Sequence, residues 1–526
     1  MQRKSINFIQ NNMGNKILWA DDEIELLKPH VIFLENKGYK IETVNSGDDA
    51  IDKIGEQDFD LVLLDENMPG LSGLETLDRI KGKHPSIPIV MITKSEEESI
   101  MEGAIGGKIA DYLIKPVNPN QILLSLKKNL ESKRLVSEKT TTDYQREFRQ
   151  IAMELQDRMD HQQWVEFYQK LVHWELELEN SNEESMAEVF AMQKKEANQL
   201  FCRFICDNYS FWLNGVEEPP TMSHTVIKDK VAPHLGGHPV MLFVIDNLRY
   251  DQWRILRTVL RDLFTVEKEE IYYSILPTAT QYARNALFAG MMPSQIQSSY
   301  PKWWKNDQDE GGKNLFEMEL LTENLNRLGH PIKHSYNKIT NLGKGKKLVE
   351  NFQNLTQNDL NVVVYNFVDM LSHARTDMEV IRELADDEAA YRSITLSWFE
   401  HSPLFELFKL AAENKMKVLL TTDHGTIRVD DPIKVVGDRN TNTNLRYKQG
   451  KNLNYNAKEV FEVKNPRDCF LPQQNMSSSY IFAKEDSFFV YPNNYNHYVK
   501  FYNNTFQHGG ISLEEVLIPF VELKPK

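Results

Sequence analysis

The chain has little cysteine, no long apolar run and no excess of basic residues, and each lack excludes a class of protein. Three cysteines among 526 residues are too few for a disulfide framework. No run of about 18 apolar residues exists to span a membrane, and the N-terminal stretch lacks the apolar core of a signal peptide. A net charge of −15 argues against a non-specific DNA binder. We therefore expect a cytoplasmic protein, with Met13 as an alternative start to Met1.

Composition and pattern divide the chain into three predicted domains. Hydrophobic residues make up 41% and charged residues 26% of the sequence, as in ordinary globular proteins. Strands and helices alternate over residues 16–131 and again over 221–526, which predicts an α/β fold for both segments. Residues 132–220 show only helical patterns, which predicts a helical bundle linker between them.

In the first α/β segment, polar residues follow the predicted strands. The strands are predicted at Lys16–Ala20, Lys40–Val44, Asp60–Leu64, Ile89–Ile92 and Asp111–Ile114. The polar residues at or near their ends are Asp21, Asp22, Asp65, Thr93 and Lys115. Ligands of parallel sheets bind at the carboxyl ends of strands, so we expect these side chains to meet. Three carboxylates suit Mg²⁺, one of them can attack phosphorus, and a lysine and a hydroxyl can hold phosphoryl oxygens.

These residues stand in the motifs ADDE, LLDENMPG, ITKSEE and DYLIKP, which resemble those of the CheY-like receiver domain of two-component response regulators. The resemblance implies a doubly wound fold in which Asp65 accepts phosphate from a sensor histidine kinase. It implies one Mg²⁺ held by Asp22, Asp65 and the carbonyl of Asn67, with Asp21 behind them. Thr93, Tyr112 and Lys115 would form the switch that responds to phosphorylation. The Lys115–Pro116 bond is a candidate cis peptide.

The last 300 residues place Asp and His at or just beyond the ends of apolar strands. These residues are Asp246, Asp369, His373, Asp423, His424 and His508. Aspartate and histidine suit zinc, and two zinc ions can clamp the attacking and leaving oxygens of a phosphoryl transfer. The segment LPTATQYARNALFAG opens a predicted helix with Thr278 and Thr280 near its start, where a phosphate can bind. Arg284 lies one helical turn beyond Thr280, and we expect its guanidinium to grip phosphate oxygens.

This ordered set, with VIDNLR and HGGISLEEVLIPF, resembles the PglZ branch of the alkaline phosphatase superfamily. The resemblance implies two zinc ions per chain. Asp369, His373 and His508 would bind one, and Asp246, Asp423, His424 and the Thr280 oxygen the other. Thr280 would be the nucleophile, with Thr278 as the rival. Sulfatases of the superfamily need a modified Cys or Ser at this position, so a phosphodiesterase is the expected activity.

An insert over about residues 428–500 lies between His424 and His508, so we expect it to form a cap over the site. Its basic residues Arg439, Arg446 and Lys448 are candidate substrate contacts, and a local basic patch would suit a polyanion such as an oligonucleotide. A solvated loop without a role in binding is the equal alternative.

A receiver followed by a PglZ domain resembles PorX-type response regulators. The resemblance implies a regulated hydrolase that acts on nucleotides or oligonucleotides, forms a homodimer on phosphorylation and controls type IX secretion. The alternative is a phosphorylation-controlled scaffold that binds a sigma factor or secretion partner, with a structural zinc domain. No basic recognition helix is found, so we expect no direct DNA-binding domain.

We predict that Asp65→Ala abolishes labelling of the protein by acetyl phosphate and any dimerisation driven by it, because the mutant lacks the attacking carboxylate. Intact-mass spectrometry and size-exclusion chromatography measure both effects. Asp60→Ala, which changes the first residue of the strand predicted before Asp65, serves as the control and should label normally. Unchanged labelling of Asp65→Ala would place the acceptor elsewhere.

Overall fold

The computed structural model describes residues 15–57, 59–84, 87–94, 109–181, 184–378, 382–383, 385, 387–438 and 441–526. Of the sequence-based predictions, the alternative start at Met13 and the candidate contact Arg439 lie outside the described residues. The chain forms two compact units. One takes the residues up to Gln145 and Asn180–Glu183, and the other takes Arg146–Glu179 and Glu184–Lys526.

The first unit contains a parallel five-stranded sheet. Its strands are Lys16–Ala20, Lys40–Val44, Leu61–Asp65, Ile89–Thr93 and Asp111–Ile114. In the sheet the second strand lies at one edge, followed by the first, third, fourth and fifth. The helices are Lys28–Glu35, Gly47–Glu56, Gly73–Lys83, Pro119–Leu126 and the start of Ser132–Glu154. This is the parallel α/β sheet that the alternation of strands and helices predicted, and its strand order is that of the CheY-like fold that the resemblance implied.

Local signals set the ends of these helices. The Ser72 hydroxyl accepts a hydrogen bond from the Glu75 amide, and the Glu75 carboxylate accepts one from the Ser72 amide. This capping box starts the helix at Gly73. A 3₁₀ turn at Ile24–Leu27 leads into the helix Lys28–Glu35. Pro29 occupies its first turn, where the lack of an amide hydrogen is tolerated.

The second unit is built on a six-stranded mixed sheet. In spatial order its strands are Phe264–Tyr273, Leu517–Pro525, Lys417–Thr421, Val240–Ile245, Leu360–Tyr365 and His334–Ile339. The last four in this order run parallel to one another, and Leu517–Pro525 runs antiparallel to both of its neighbours. Because the central strands are buried on both faces, each reads as a continuous apolar run.

Helices surround this sheet. They are Tyr250–Leu260, Thr280–Ala289, Pro293–Ser299, Glu317–Arg327, Leu342–Glu350, Phe367–Asp377, Glu388–Glu400, Pro403–Glu413, Tyr495–Tyr502 and Leu513–Val516. Within the part of the chain that the structure describes, no helix is long and apolar enough to cross a membrane.

The insert between His424 and His508 is folded. Tyr447–Lys451, Ser478–Ala483 and Val460–Val463 form a three-stranded sheet in that order, and Asp431–Lys434 pairs with Ser487–Val490. Ile433, Val435, Ile481 and Phe489 are buried in its own apolar cluster. The alternative of a solvated loop is therefore wrong for the described part of the insert.

The middle helices His161–Ser181 and Glu184–Leu213 pack within the second unit. The Trp212 and Tyr273 ring centroids lie 5.5 Å apart, which joins the second of these helices to an edge strand. The buried Arg392 guanidinium contacts Glu175 at 3.0 Å and Asp251 at 2.9 Å and also pairs with Glu179. The helical segment thus shares a core with the C-terminal residues, and the boundary predicted near residue 220 stays a prediction.

We predict that Arg392→Met lowers the free energy of unfolding of the second unit by about 3–5 kcal/mol, because it leaves buried carboxylates without their cation. Urea denaturation followed by tryptophan fluorescence measures this change. Lys409→Met, which breaks an exposed pair with Glu406, should cost less than about 1 kcal/mol. Equal stabilities of the two variants would contradict the assignment of Arg392 as a structural anchor.

Candidate functional site

Three neighbouring parallel strands of the second unit deliver acidic and histidine side chains to one edge of the sheet. Asp246 directly follows Val240–Ile245, and Asp423 and His424 follow Lys417–Thr421 after a single threonine. Asp369 lies in the first turn of the helix that follows Leu360–Tyr365. Because the carboxyl ends of parallel strands meet at one edge, residues far apart in sequence converge there.

The first cluster consists of Asp246, Asp423 and His424, all fully buried, with ligand atoms within 4.8 Å of one another. The His424 Nε2 atom lies 3.8 Å from Asp246 Oδ1 and 3.7 Å from Asp423 Oδ2. Its Nδ1 atom pairs with the Gly425 carbonyl at 3.1 Å, which orients Nε2 toward the carboxylates. Asp423 Oδ2 is buried without a hydrogen-bond partner among the described residues. This set of donors can hold a divalent metal ion.

Thr280 begins a ten-residue helix beside this cluster. Its hydroxyl oxygen lies 3.3 Å from Asp246 Oδ1 and 3.0 Å from His424 Nε2. The Thr278 hydroxyl instead donates to the Gly510 carbonyl at 2.8 Å and accepts from the Gly509 amide at 3.1 Å. Thr280 therefore lies at the cluster, whereas Thr278 binds the loop that contains Gly509 and Gly510.

The second cluster consists of Asp369, His373 and His508. The Asp369 Oδ1 atom lies 3.6 Å from His373 Nε2 and 3.5 Å from His508 Nε2, and it is buried without a hydrogen-bond partner among the described residues. The His508 ring stacks on the His424 ring with centroids 4.3 Å apart, so the two clusters adjoin. His508 Nδ1 pairs with the Thr278 carbonyl, which again leaves Nε2 toward the cluster.

Protonation of these groups follows from their burial. Burial and the nearby Asp246 carboxylate raise the pKa of Asp369 to about 6. Burial and the neighbouring His424 lower the pKa of His508 to about 4, and burial also lowers the pKa of His424. The imidazoles are therefore neutral near pH 7, as metal ligands must be. Asp369 Oδ1 and Asp423 Oδ2, which lack hydrogen-bond partners among the described residues, and the ring nitrogens of the two histidines are therefore suitable ligands for divalent metal ions.

The position of Arg284 contradicts the prediction that its guanidinium grips phosphate oxygens. Its buried guanidinium does not face an open phosphate site, because Nη1 lies 2.6 Å from Asp246 Oδ2 and Nε lies 2.5 Å from Glu317 Oε1. Burial alone would raise the pKa of Asp246, but Arg284 and His424 outweigh it and lower that pKa. Arg284 thus positions Asp246 and keeps it ionised.

Sequence reasoning missed Glu317 and Asn314, which support the site from a segment without a motif. Glu317 begins a helix and holds Arg284, and it also accepts a hydrogen bond from the Lys338 ammonium at 2.8 Å. The Asn314 amide donates to the Thr280 carbonyl at 3.0 Å. No spacing or composition signal in the sequence marks either residue.

Two of the three basic candidates of the insert, Arg446 and Lys448, are described, and both are used inside the protein. Arg446 is fully buried and paired with Glu515 at 2.6 Å, so its assignment as a substrate contact is corrected. Lys448 is also buried, and its ammonium donates to the Asn442 carbonyl at 3.0 Å and lies 4.6 Å from the centroid of the Tyr491 ring. Burial lowers the pKa of Lys448 to about 7.

In the first unit, Asp21, Asp22 and Asp65 form a third cluster within 4.8 Å. The Lys115 ammonium lies 2.8 Å from Asp21 Oδ2 and 3.0 Å from Asp65 Oδ1. Burial raises the pKa of Asp65, although Lys115 opposes that shift. This geometry suits a divalent ion and a reactive carboxylate.

The other site residues predicted for the first unit, Thr93, Tyr112 and Asn67, lie in or just after strands of the same sheet. Thr93 is buried at the end of Ile89–Thr93, Tyr112 is half-buried in the next strand, and Asn67 is exposed two residues after Asp65. The Lys115–Pro116 peptide is cis in the structure, as the sequence predicted.

Comparison with known families gives three matches in chain order. Residues 17–127 match the response regulator receiver domain, residues 134–213 match the PorX response regulator linker domain, and residues 226–523 match the BREX system PglZ alkaline phosphatase-like domain.

Two curated relatives each match about a fifth to a quarter of this chain. The transcriptional regulatory protein ResD of Bacillus subtilis is 39% identical over 113 residues, which cover 21% of this chain and 46% of ResD. ZraR of Klebsiella oxytoca is 36% identical over 127 residues, which cover 24% of this chain and 28% of ZraR. The chain thus spans less than half the length of these relatives. A CheY-like receiver domain structure from Methanospirillum hungatei is 27% identical, with 23% of this chain and 95% of that chain covered and a TM-score of 0.22.

We predict that divalent zinc or manganese raises the melting temperature of the second unit after chelator treatment, since ligands that bind only the folded state stabilise it. At a concentration 100 times the dissociation constant, the gain is about 2.7 kcal/mol per site. Scanning calorimetry measures the shift, which Asp369→Asn and Asp423→Asn should each reduce. Asp22→Asn alters only the receiver cluster, so the metal-dependent shift in the melting temperature of the second unit should remain. An identical scan with and without metal would contradict the metal assignment.

Proposed function

Because the chain belongs to the PglZ alkaline phosphatase-like family and carries a receiver and a PorX linker, it is a PorX-type response regulator, and we propose that its effector is a zinc-dependent phosphodiesterase. The substrate class is a nucleotide or oligonucleotide diester. Phosphorylation of Asp65 by a histidine kinase would control the enzyme, through a homodimer formed on phosphorylation.

The observation that carries the proposal is the position of the Thr280 hydroxyl. It lies at the start of a helix, within 3.3 Å of Asp246 and 3.0 Å of His424, and the second cluster adjoins it through the His424–His508 stack. A structural metal domain would not need a hydroxyl at this point. The positive end of the helix dipole favours a phosphate in front of Thr280.

In the proposed reaction, the Thr280 oxygen forms a bond to phosphorus while the bond between phosphorus and the leaving alcohol breaks. The Thr280 proton leaves to solvent and the leaving oxygen gains a proton. A water molecule then displaces Thr280 from phosphorus, which restores the hydroxyl. Bound zinc ions would act as Lewis acids that favour the ionised attacking and leaving oxygens.

The surrounding residues keep this geometry. Arg284 holds Asp246 from the buried side, so that the other carboxylate oxygen faces Thr280. Asn314 binds the Thr280 carbonyl and fixes the first turn of the helix. Asp369, His373 and His508 would hold the second ion. Type IX secretion is the process that we propose the enzyme regulates, and the PorX linker match supports this.

We predict that Thr280→Ala lowers kcat for bis-p-nitrophenyl phosphate by at least about 1,000-fold, since losing a nucleophile removes the covalent route. Release of p-nitrophenol with zinc present measures it. Thr280→Ser, which keeps a hydroxyl, should retain partial activity. Thr258→Ala, exposed on the helix Tyr250–Leu260, should match the wild type.

Elemental analysis of the same proteins should show two zinc ions per chain, with fewer in His373→Ala and His508→Ala. Full activity in Thr280→Ala would contradict the assignment of Thr280 as the nucleophile. A wild type with two zinc ions and no turnover of bis-p-nitrophenyl phosphate or short oligonucleotides would instead favour a scaffold that binds a sigma factor or secretion partner.

A further inference from the structure

A polar cleft of about 480 Å³ opens beside Thr280. Its volume falls within the range of about 300–1,000 Å³ that is usual for small-molecule sites. Amides, hydroxyls and one carboxylate line it. The lining residues are Gln281, Asp307, Gln308, Thr441, Asn442, Thr443, Asn444 and Tyr447.

The cleft lies between the start of the Thr280 helix and the loop that carries His508. Gln281 is the residue after Thr280, and its side-chain amide donates to the Lys305 carbonyl at 2.7 Å. On the other side, the Asn444 amide donates to the His508 carbonyl at 3.3 Å. Tyr447 packs so closely on Gly509 that an added Cβ would lie 2.7 Å from its ring. A substrate phosphate at Thr280 would therefore have one ester arm directed into this cleft.

Asp307 is the hydrogen-bond centre of the cleft. It accepts from Tyr282 Oη at 3.2 Å, Tyr447 Oη at 3.0 Å and Asn442 Nδ2 at 3.0 Å. A carboxylate offers about four acceptor positions, so one stays available for a donor from a ligand. The half-buried carboxylate also repels a second phosphate, because like charges in a low-dielectric site disfavour each other.

Neither Arg446 nor Lys448 of the insert pairs with Asp307, and Lys313, outside the insert, is the cation that acts on this carboxylate. Arg446 is bound by Glu515, and the Lys448 ammonium points to the Asn442 carbonyl and the Tyr491 ring. Of the cleft-lining residues that the structure describes, none is a lysine or arginine. The cleft thus offers donors and acceptors for an uncharged group and is poorly suited to an anion.

Resting on the proposed phosphodiesterase function, we propose that this cleft binds the nucleoside arm of the substrate and selects nucleotide diesters over simple aryl diesters. Asn442 and Asn444 each use one amide N–H inside the protein, and their amide oxygens accept from backbone N–H groups. Each amide keeps a second N–H that can donate to the edge of a nucleobase. Asp307 accepts from a ring or exocyclic N–H of the base or from a sugar hydroxyl. The insert therefore supplies the substrate preference that the metal clusters lack.

The test compares thymidine 5′-p-nitrophenyl phosphate with bis-p-nitrophenyl phosphate, since both release p-nitrophenol from a diester. The ratio of kcat/KM for the first substrate to that for the second should exceed one in the wild type. It should fall at least about tenfold in Asp307→Asn, as expected for loss of a hydrogen bond to a charged acceptor. The exposed double variant Gln308→Ala with Thr443→Ala should lower the ratio in the same direction. Lys464→Ala, exposed in the same insert, is the matched control and should leave it unchanged.

A second readout separates the two proposals. Calorimetric titration of thymidine monophosphate into Thr280→Ala should give tighter binding than inorganic phosphate, and adding Asp307→Asn should remove the difference. Turnover of both diesters with an unchanged ratio in Asp307→Asn would overturn the cleft assignment and keep the phosphodiesterase. If the kcat/KM ratio fell in Arg439→Ala but not in Asp307→Asn, a cation would select the substrate, and the cleft assignment would also be overturned. No turnover, with binding that still depends on Asp307, would overturn the enzyme and keep the cleft.

Discussion

Two buried carboxylates, Asp246 and Asp423, lie side by side at the end of the central strands, and the rest of the C-terminal unit depends on how their charge is balanced. Buried charges without partners cost several kcal/mol each, about as much as a domain's net stability. Arg284 balances Asp246 from the buried side and is itself held by Glu317. Asp423 Oδ2 is buried without a hydrogen-bond partner in the described part of the chain, 3.8 Å from Arg284 Nη1 and 3.7 Å from His424 Nε2, which leaves this oxygen for a cation. The Thr280 hydroxyl lies beside Asp246 and His424 of the same cluster, so metal binding and phosphate chemistry share one location.

The insert has a structural as well as a binding role in this arrangement. Glu515 accepts a hydrogen bond from the Gly510 amide at 2.9 Å and pairs with Arg446 of the insert. Because His508 lies two residues before Gly510, this pair fixes the loop that brings the last predicted ligand to the second cluster. A residue that sequence reasoning assigned to substrate instead determines where a histidine lies.

Motifs at strand ends made much of the site predictable. Asp246, Asp369, Asp423 and His424 follow apolar runs whose burial and parallel pairing are set by composition, so their meeting at one sheet edge follows from topology. The roles of Arg284 and Arg446 were not predictable, because a charged residue looks the same in sequence whether it faces solvent or a buried carboxylate. The choice between Thr278 and Thr280 needed coordinates, since a helix start two residues earlier would have reversed it. The fold of the insert was also hidden, because its strands are only four to six residues long.

The central claim is that Thr280 attacks phosphorus, and trapping the covalent adduct tests it most directly. Acid quenching during turnover of thymidine 5′-p-nitrophenyl phosphate, followed by proteolysis and mass spectrometry, should reveal a thymidylyl group on the peptide that contains Thr280. Fragmentation should place the added mass on Thr280 and not on Thr278. An adduct on another residue, or turnover with no adduct on any peptide under conditions that recover the Thr280 peptide in full, would contradict the account.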